Sequence, residues 1–160
     1  MVISRVDASR AEDIARLAVC LTNEIIERTG IRHFDVNVPK AVRLCRRYLE
    51  NGRYAVIAAL DGEEVVGFGA QCENHSLYAE GSFGIVQEAY VQPAYRSVDI
   101  GRQLLEKLPA VAVEKHRTRL ELCTPPLPEF ERTVAFYPEN GFEIIGGYKM
   151  KRAVAGSLRR

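Results

Sequence analysis

The chain has 160 residues, 47% hydrophobic and 27% charged, a composition that fits one soluble globular domain with a sizeable core. Its 22 basic and 21 acidic residues nearly cancel, which excludes the basic surface that non-specific nucleic-acid binding needs. No run approaches the about 20 apolar residues of a membrane span, and the first residues lack a signal-peptide pattern, so we expect a cytoplasmic protein without nucleic-acid or membrane partners.

The first third of the sequence predicts one strand and two helices. A short strand over residues 2–6 is followed by Ser9 and Glu12, which have the spacing of a helix capping box. The first helix is expected to end at Gly30, and a second helix has Pro39 in its first turn.

The middle of the sequence predicts a hairpin, a further strand and a helix. Asp61-Gly62 joins the strand-like runs "RYAVIAAL" and "EVVGFGAQC", which indicates an antiparallel pair. The polar loop "ENHSLYAEG" leads to the strand "SFGIVQEAYV" and then to a helix over residues 100–116. Pro109 is expected to kink or split that helix.

The last third predicts a strand "TRLELC", a helix "EFERTVAFY", a final strand within "NGFEIIGGYKMKR" and a frayed tail over residues 153–160. The order β-α-α-β-β-β-α-β-α-β predicts an α/β (α+β) domain over residues 1–152, with helices on the faces of a mixed sheet. The four cysteines and three histidines are dispersed without metal-ligand spacing, so we predict no metal site and reduced, mostly buried thiols.

The stretch "YRSVDIGRQLL" places an arginine and a glycine between a strand and a helix. Unpaired amides at a helix start favour anions, so this junction is a candidate phosphate site. The alternative is an ordinary tight turn, since any such junction exposes amides.

Two separated segments resemble the GNAT superfamily of N-acetyltransferases. "EAYVQPAYRSVDIGRQLL" is similar to the family's acetyl-CoA-binding segment, and "FYPENGFE" is similar to its late aromatic element. The resemblance covers about residues 1–152 and implies a mostly antiparallel sheet flanked by about four helices, acetyl-CoA as co-substrate and direct, metal-free transfer to an amine.

The resemblance also implies the residues of the donor site. Backbone groups around Ala89, Tyr90 and Val91 would pair with the pantetheine arm, and an amide near Tyr90 would polarise the thioester carbonyl. The following loop would take the pyrophosphate through Arg96, Ser97, Val98, Asp99, Ile100, Gly101 and Arg102.

Three positions depart from the family pattern. Ser97 and Asp99 replace two usual glycines, but Asp tolerates positive φ, so the backbone path is expected to survive. The charge of Asp99 would weaken phosphate binding unless it points outward or pairs with an arginine. Phe130 stands where the last helix of the family often has asparagine.

Two side chains are candidates for proton transfer. Tyr137 lies where the family commonly protonates the CoA sulfur, and its alternative role is a core aromatic whose hydroxyl reaches a backbone partner. Glu88 could accept the proton of the amine through water or attract an ammonium substrate, and the alternative is a surface-facing strand carboxylate.

The acceptor is expected between residues 29–37 and the loops at 73–82. Arg32, His33, Phe34 and Asp35 could contact an acceptor there, but an ordinary packed and solvated loop accounts for them better. The resemblance thus predicts an N-acetyltransferase acting on a primary amine of a small molecule or peptide. The alternatives are a non-catalytic CoA-binding or regulatory module and, since family members are often homodimers, a structural dimer module.

Overall fold

A computed structural model of the chain describes residues 1–154 and contains one five-stranded sheet. Its strands lie in chain order: β1 (Val2–Val6), β2 (Tyr54–Asp61), β3 (Glu64–Ser76), β4 (Gly81–Val91) and β5 (Leu120–Leu122). β1 to β4 are antiparallel neighbours, and β5 runs parallel to β4. The helices are α1 (Ala11–Thr29), α2 (Val38–Glu50), α3 (Ile100–Glu114) and α4 (Glu131–Glu139). The predicted mixed, mostly antiparallel sheet with four helices is confirmed.

The ends of α1 and α2 follow local capping chemistry. Gly30 ends α1 at φ 69°, and its N–H donates to the carbonyl of Ile26 at 2.8 Å, as predicted. The predicted capping box is wrong, because Ser9 lies in a preceding 3₁₀ turn and donates its N–H to Asp7 Oδ1 at 2.8 Å. α2 has its proline in the first turn, and the Asn37 side chain caps it.

Both faces of the sheet are covered, which explains the nearly continuous apolar runs of β2 and β3. One cluster lies between the sheet and α1 and α2; it includes Ile14, Leu17, Cys45, Val56, Ala58 and Phe68. A second lies between the sheet and α3; it includes Ile57, Ala59, Val66, Leu104, Leu105 and Leu108.

The hairpin at Asp61-Gly62 is confirmed, with Gly62 at φ 60°. The predicted polar loop at 73–81 is mostly strand, since β3 and β4 continue to a turn at residues 77–80. The helix containing Pro109 is not split: α3 runs through it, with Leu108 fully buried and its carbonyl accepting from Gln71 Nε2 at 2.8 Å. Pro109 itself is exposed, and the burial of its helix neighbours Leu108 and Val111 offsets the backbone hydrogen bond that the proline removes.

The predicted final strand is wrong. Within the described chain, residues 143–154 form no strand, and the side chains of Ile144, Ile145 and Tyr148 are 83%, 65% and 96% exposed. Gly146 and Gly147 take positive φ values of 110° and 85°, which interrupt extended pairing. Of the tail predicted at 153–160, residues 155–160 lie outside the described residues.

The expectation of mostly buried thiols is also wrong. Cys45 is buried and Cys72 is half-buried, whereas Cys20 and Cys123 are exposed. All four are free thiols, as predicted.

Candidate active site

The central feature of the candidate site is an open edge on β4. β4 pairs with β3 along its whole length, but it pairs with β5 only over Gly84–Val86. The register with β3 shifts at Gln87, and a bulge of this kind bends the strand. In the described part of the chain, residues 87–91 therefore have a strand on one side only, and their outward backbone groups are available to a ligand.

The pairing identifies which backbone groups face that edge. The Gln92 N–H donates to the Val66 carbonyl at 2.9 Å, and backbone groups alternate between the two sides of an antiparallel strand. The groups of Tyr90 therefore belong to the β3 ladder, while those of Ala89 and Val91 face outward. The amide near Tyr90 that is predicted to polarise a thioester carbonyl would therefore be that of Ala89 or Val91.

The loop after β4 keeps the backbone path of a glycine-containing phosphate loop. Ser97 and Asp99 have φ values of 64° and 72°, so both take the left-handed conformation that glycines adopt without steric cost. The amides of Ser97, Val98 and Asp99 donate to no acceptor within residues 1–154, and α3 begins at Ile100. Free amides and the positive end of a helix thus meet at one place, which is the chemistry of an anion site.

The negative charge of Asp99 is paired. Arg102 Nε donates to Asp99 Oδ1 at 2.6 Å, and Arg102 Nη2 contacts the other carboxylate oxygen. The hydrogen bond from Arg102 holds the pKa of Asp99 below its ordinary value. Arg102 also pairs with Glu106, so its guanidinium is shared between two carboxylates.

Arg96 is likewise engaged within the fold. Its guanidinium forms two hydrogen bonds with Glu24, at 3.0 and 2.7 Å, and its Nε donates to the Val91 carbonyl at 2.8 Å. The free anion-binding groups of the loop are therefore its backbone amides. On the β4 edge, the Ala89 N–H and carbonyl and the Val91 N–H remain.

Packing gives Gly101 a reason to be glycine in addition to the predicted approach of a phosphate. A Cβ at this position would lie 3.1 Å from Cζ of Phe136, so the glycine lets α4 approach the first turn of α3. Phe136 immediately precedes Tyr137, and the missing Cβ therefore helps to position the candidate acid.

Glu88 lies on the α1 and α2 face and is not a solvated surface carboxylate. Its Oε1 accepts from the Tyr54 hydroxyl at 3.2 Å, whereas its Oε2 is buried without a partner in the described chain. Burial raises the pKa of Glu88, and the hydrogen bond from Tyr54 partly counteracts this effect. A carboxylate with a raised pKa and an unpaired oxygen is suited to accept a proton.

Tyr137 lies on the other face of β4. It packs against the α3 cluster together with Ala89 and Val91, and its ring contacts those of Phe136 and Phe142 at 5.6 and 5.8 Å. Burial raises the pKa of Tyr137, and its hydroxyl makes no hydrogen bond within residues 1–154. The phenol is thus protonated at neutral pH and its O–H is free to donate. The alternative role, a core aromatic whose hydroxyl bonds to a backbone group, required a partner for that O–H.

A cavity of about 530 Å³ opens beside Tyr54, whose hydroxyl donates to Glu88, although Glu88 itself does not line the cavity. Its lining comprises Tyr48, Asn51, Gly52, Arg53, Tyr54, Cys72, Glu73, His75 and Gln87. The region 73–82 expected to border the acceptor contributes Glu73 and His75, whereas residues 32–35 do not line it. The sequence did not predict that Tyr48 and Tyr54 would line a site, because each has the spacing of an ordinary helix or strand aromatic. Their ring centroids lie 5.1 Å apart.

Residues 1–154 contain no cluster of three or more His, Cys, Asp or Glu side chains arranged to hold a metal ion. The same residues include no helix long and apolar enough to cross a membrane.

An open β4 edge beside a helix-start anion site is the layout implied by the acetyltransferase resemblance. The sequence model described as "Acetyltransferase (GNAT) domain" matches residues 51–144, and the chain belongs to this acetyltransferase family. No curated protein sequence matches the chain significantly.

Solved structures share the fold at low sequence identity. An integron cassette protein, HFX_CASS3, from the mobile metagenome of Cole Harbour Salt Marsh is 19% identical with a TM-score of 0.76, covering 96% of this chain and 90% of that one. A ribosomal-protein-alanine N-acetyltransferase from Brucella melitensis biovar Abortus 2308 is 18% identical with a TM-score of 0.69, covering 96% and 100%. The aminoglycoside N-acetyltransferase AAC(6')-Iy, in complex with CoA, is 16% identical with a TM-score of 0.76, covering 95% and 93%.

Proposed function

We propose that the protein is an N-acetyltransferase that transfers an acetyl group from acetyl-CoA to a primary amine of a small molecule or peptide by direct attack. The observation that carries this proposal is the open β4 edge, which has free amides at one end, Glu88 on one face and Tyr137 on the other. These groups would bind a thioester donor, take up a proton from the ammonium and protonate the departing thiolate.

Donor binding would use backbone groups that the fold leaves free. The pantetheine arm has amides of its own and can pair with Ala89 and Val91 as an added strand. The pyrophosphate would be bound by the amides of residues 97–99 at the start of α3. In this arrangement the thioester lies along the open edge, between the two faces of β4.

Transfer requires a neutral amine, because a protonated nitrogen has no lone pair for attack. Glu88 would take the ammonium proton, directly or through water, and its buried Oε2 has no competing partner in the described chain. The amine nitrogen then forms the C–N bond as the C–S bond breaks. Tyr137 would give its proton to the departing thiolate, and the second proton of the attacking nitrogen, lost as the amide forms, would return through water to the Tyr137 phenolate.

Two of the three similar structures named above are named for their acceptors. One is named for an aminoglycoside and the other for the alanine of a ribosomal protein, so the shared fold accommodates small and polypeptide amines. The cavity beside Tyr54 is the proposed acceptor site. The cytoplasmic location and the homodimer stay predictions.

The alternative, a non-catalytic CoA-binding or regulatory module, is favoured by Ser97 and Asp99 at the glycine positions. Their left-handed conformations preserve the backbone path of the loop, and the ion pair with Arg102 offsets the charge of Asp99. The two replaced glycines are therefore weaker support for a non-catalytic module than the sequence alone suggests. Such a module would bind CoA but release no thiol with any amine.

Calorimetry with CoA and acetyl-CoA, followed by a thiol-release screen of aminoglycosides, polyamines and peptides, tests the proposal. We expect binding of both nucleotides and turnover with at least one amine. Absence of binding at near-millimolar acetyl-CoA would refute it, and binding without turnover would favour the regulatory module. Tyr137→Phe and Glu88→Gln serve as low-activity references.

A further inference from the structure

Glu24 on α1 binds two arginines from different parts of the fold. Its carboxylate accepts two hydrogen bonds from Arg96, at 3.0 and 2.7 Å, and a contact of 2.7 Å from Arg28. The Glu24 side chain is only 18% exposed, so these ion pairs are less screened than surface pairs. The hydrogen bond with Arg96 also lowers the pKa of Glu24.

Arg96 connects Glu24 to the proposed donor site. It immediately precedes the strained Ser97, its Nε holds the Val91 carbonyl, and its guanidinium lies 5.2 Å from the centre of the Tyr90 ring. The planar guanidinium of Arg96 therefore joins α1 to the end of the open β4 edge and to the start of the loop at residues 97–99. This fork geometry is specific to arginine, since lysine offers one point of charge.

Arg28 extends the attachment to the last helix. Its guanidinium lies 4.8 Å from the centre of the Phe130 ring, which is 5% exposed and stands at the N-terminus of α4. That position is where the family pattern often has asparagine. The helix held there carries Tyr137.

We propose that Glu24 is a positioning residue for the acetyl-CoA site, holding Arg96 so that the amides of residues 97–99 stay arranged for the pyrophosphate. This inference rests on the proposed function. Without the carboxylate, Arg96 and Arg28 become neighbouring unpaired cations that repel each other, and Ser97 is free to leave its left-handed conformation. Acetyl-CoA must then order the loop on binding, which lowers its affinity.

The test compares Glu24→Gln with Glu27→Gln, which makes the same charge change at an exposed position of the same helix. We expect Glu24→Gln to raise the CoA dissociation constant and the KM for acetyl-CoA by roughly tenfold, the range of one charge-assisted hydrogen bond. The kcat at saturating acetyl-CoA should change much less, and Glu27→Gln should change neither constant. A merely structural role would lower kcat through loss of folded protein and leave KM unchanged.

A double mutant checks the route. If Glu24 acts through Arg96, then Glu24→Gln should have no further effect on CoA affinity in an Arg96→Gln background. Should Glu24→Gln not fold, Glu24→Asp keeps the charge but shortens the reach, and it is expected to weaken CoA binding in the same direction. If the wild type binds CoA and the folded Glu24 variant binds it with an unchanged dissociation constant, this inference alone is overturned. If the wild type does not bind CoA, the proposed function is overturned as well.

Discussion

Replacing Gly101 by alanine should destabilise the protein through Phe136, although alanine is the better helix former. The new Cβ would lie 3.1 Å from Cζ of Phe136, whereas carbon atoms pack best at about 3.5–4.0 Å, so the ring must move by several tenths of an ångström. Overpacking of this kind costs about 1–3 kcal/mol. Alanine recovers at most about 1 kcal/mol in a first helical turn. The net expectation is a loss of about 0–3 kcal/mol in unfolding free energy.

A double-mutant cycle separates the two effects. Leucine at position 136 does not reach as far as Cζ, so in a Phe136→Leu background Gly101→Ala should be neutral or slightly stabilising. Urea unfolding of the four proteins should give a coupling free energy of about 1–3 kcal/mol between the two sites. Equal effects of Gly101→Ala in both backgrounds would refute the packing explanation.

Four further predictions concern the proposed catalytic groups and the loop. Burial raises the pKa of Glu88 above the 4.5 of an ordinary glutamate, so kcat/KM should fall as the pH decreases through that raised value. Glu88→Gln should lower the rate by about 10²–10⁴ and remove this pH dependence. The same shift disfavours the folded state once Glu88 ionises, so calorimetric melting should show Glu88→Gln more stable than wild type at neutral pH, with the gain vanishing below pH 4.5. Tyr137→Phe should lower kcat by about 10²-fold or more with little change in KM for acetyl-CoA or in melting temperature, because the hydroxyl has no partner in the described chain; an unchanged kcat would exclude it as the acid. Asp99→Gly should tighten CoA binding severalfold by calorimetry, whereas Glu106→Gln, which removes the other partner of Arg102, should not; weaker binding in Asp99→Gly would mean that Asp99 holds the turn.

Local sequence signals predicted most of the fold because the physics of these elements is local. Gly30 ends α1 by its left-handed conformation, and Asp61-Gly62 makes the hairpin, through interactions that span a few residues. The tolerance of aspartate for positive φ likewise predicted the path at Asp99, which the structure confirms.

The electrostatic contacts of the candidate site could not be predicted in this way. Glu24 and Arg96 are 72 residues apart in sequence, and Tyr54 and Glu88 are 34 apart, so their pairing depends on how α1 and β2 pack beside β4. A strand likewise requires a partner, and the apolar residues after α4 suggested a strand without indicating whether an edge was available. The bulge at Gln87 gave no recognisable signal in the sequence.

The open edge of β4 has a consequence for solubility. Unpaired strand groups can recruit a strand from another protein molecule, which is a common first step of aggregation. Here the exposed stretch is limited to residues 87–91, the bulge bends it, and Arg96 already occupies the Val91 carbonyl. A bound pantetheine arm would cover the remaining unpaired groups, so CoA binding should stabilise the folded protein. The protein is therefore expected to stay monodisperse longer on heating when CoA is present.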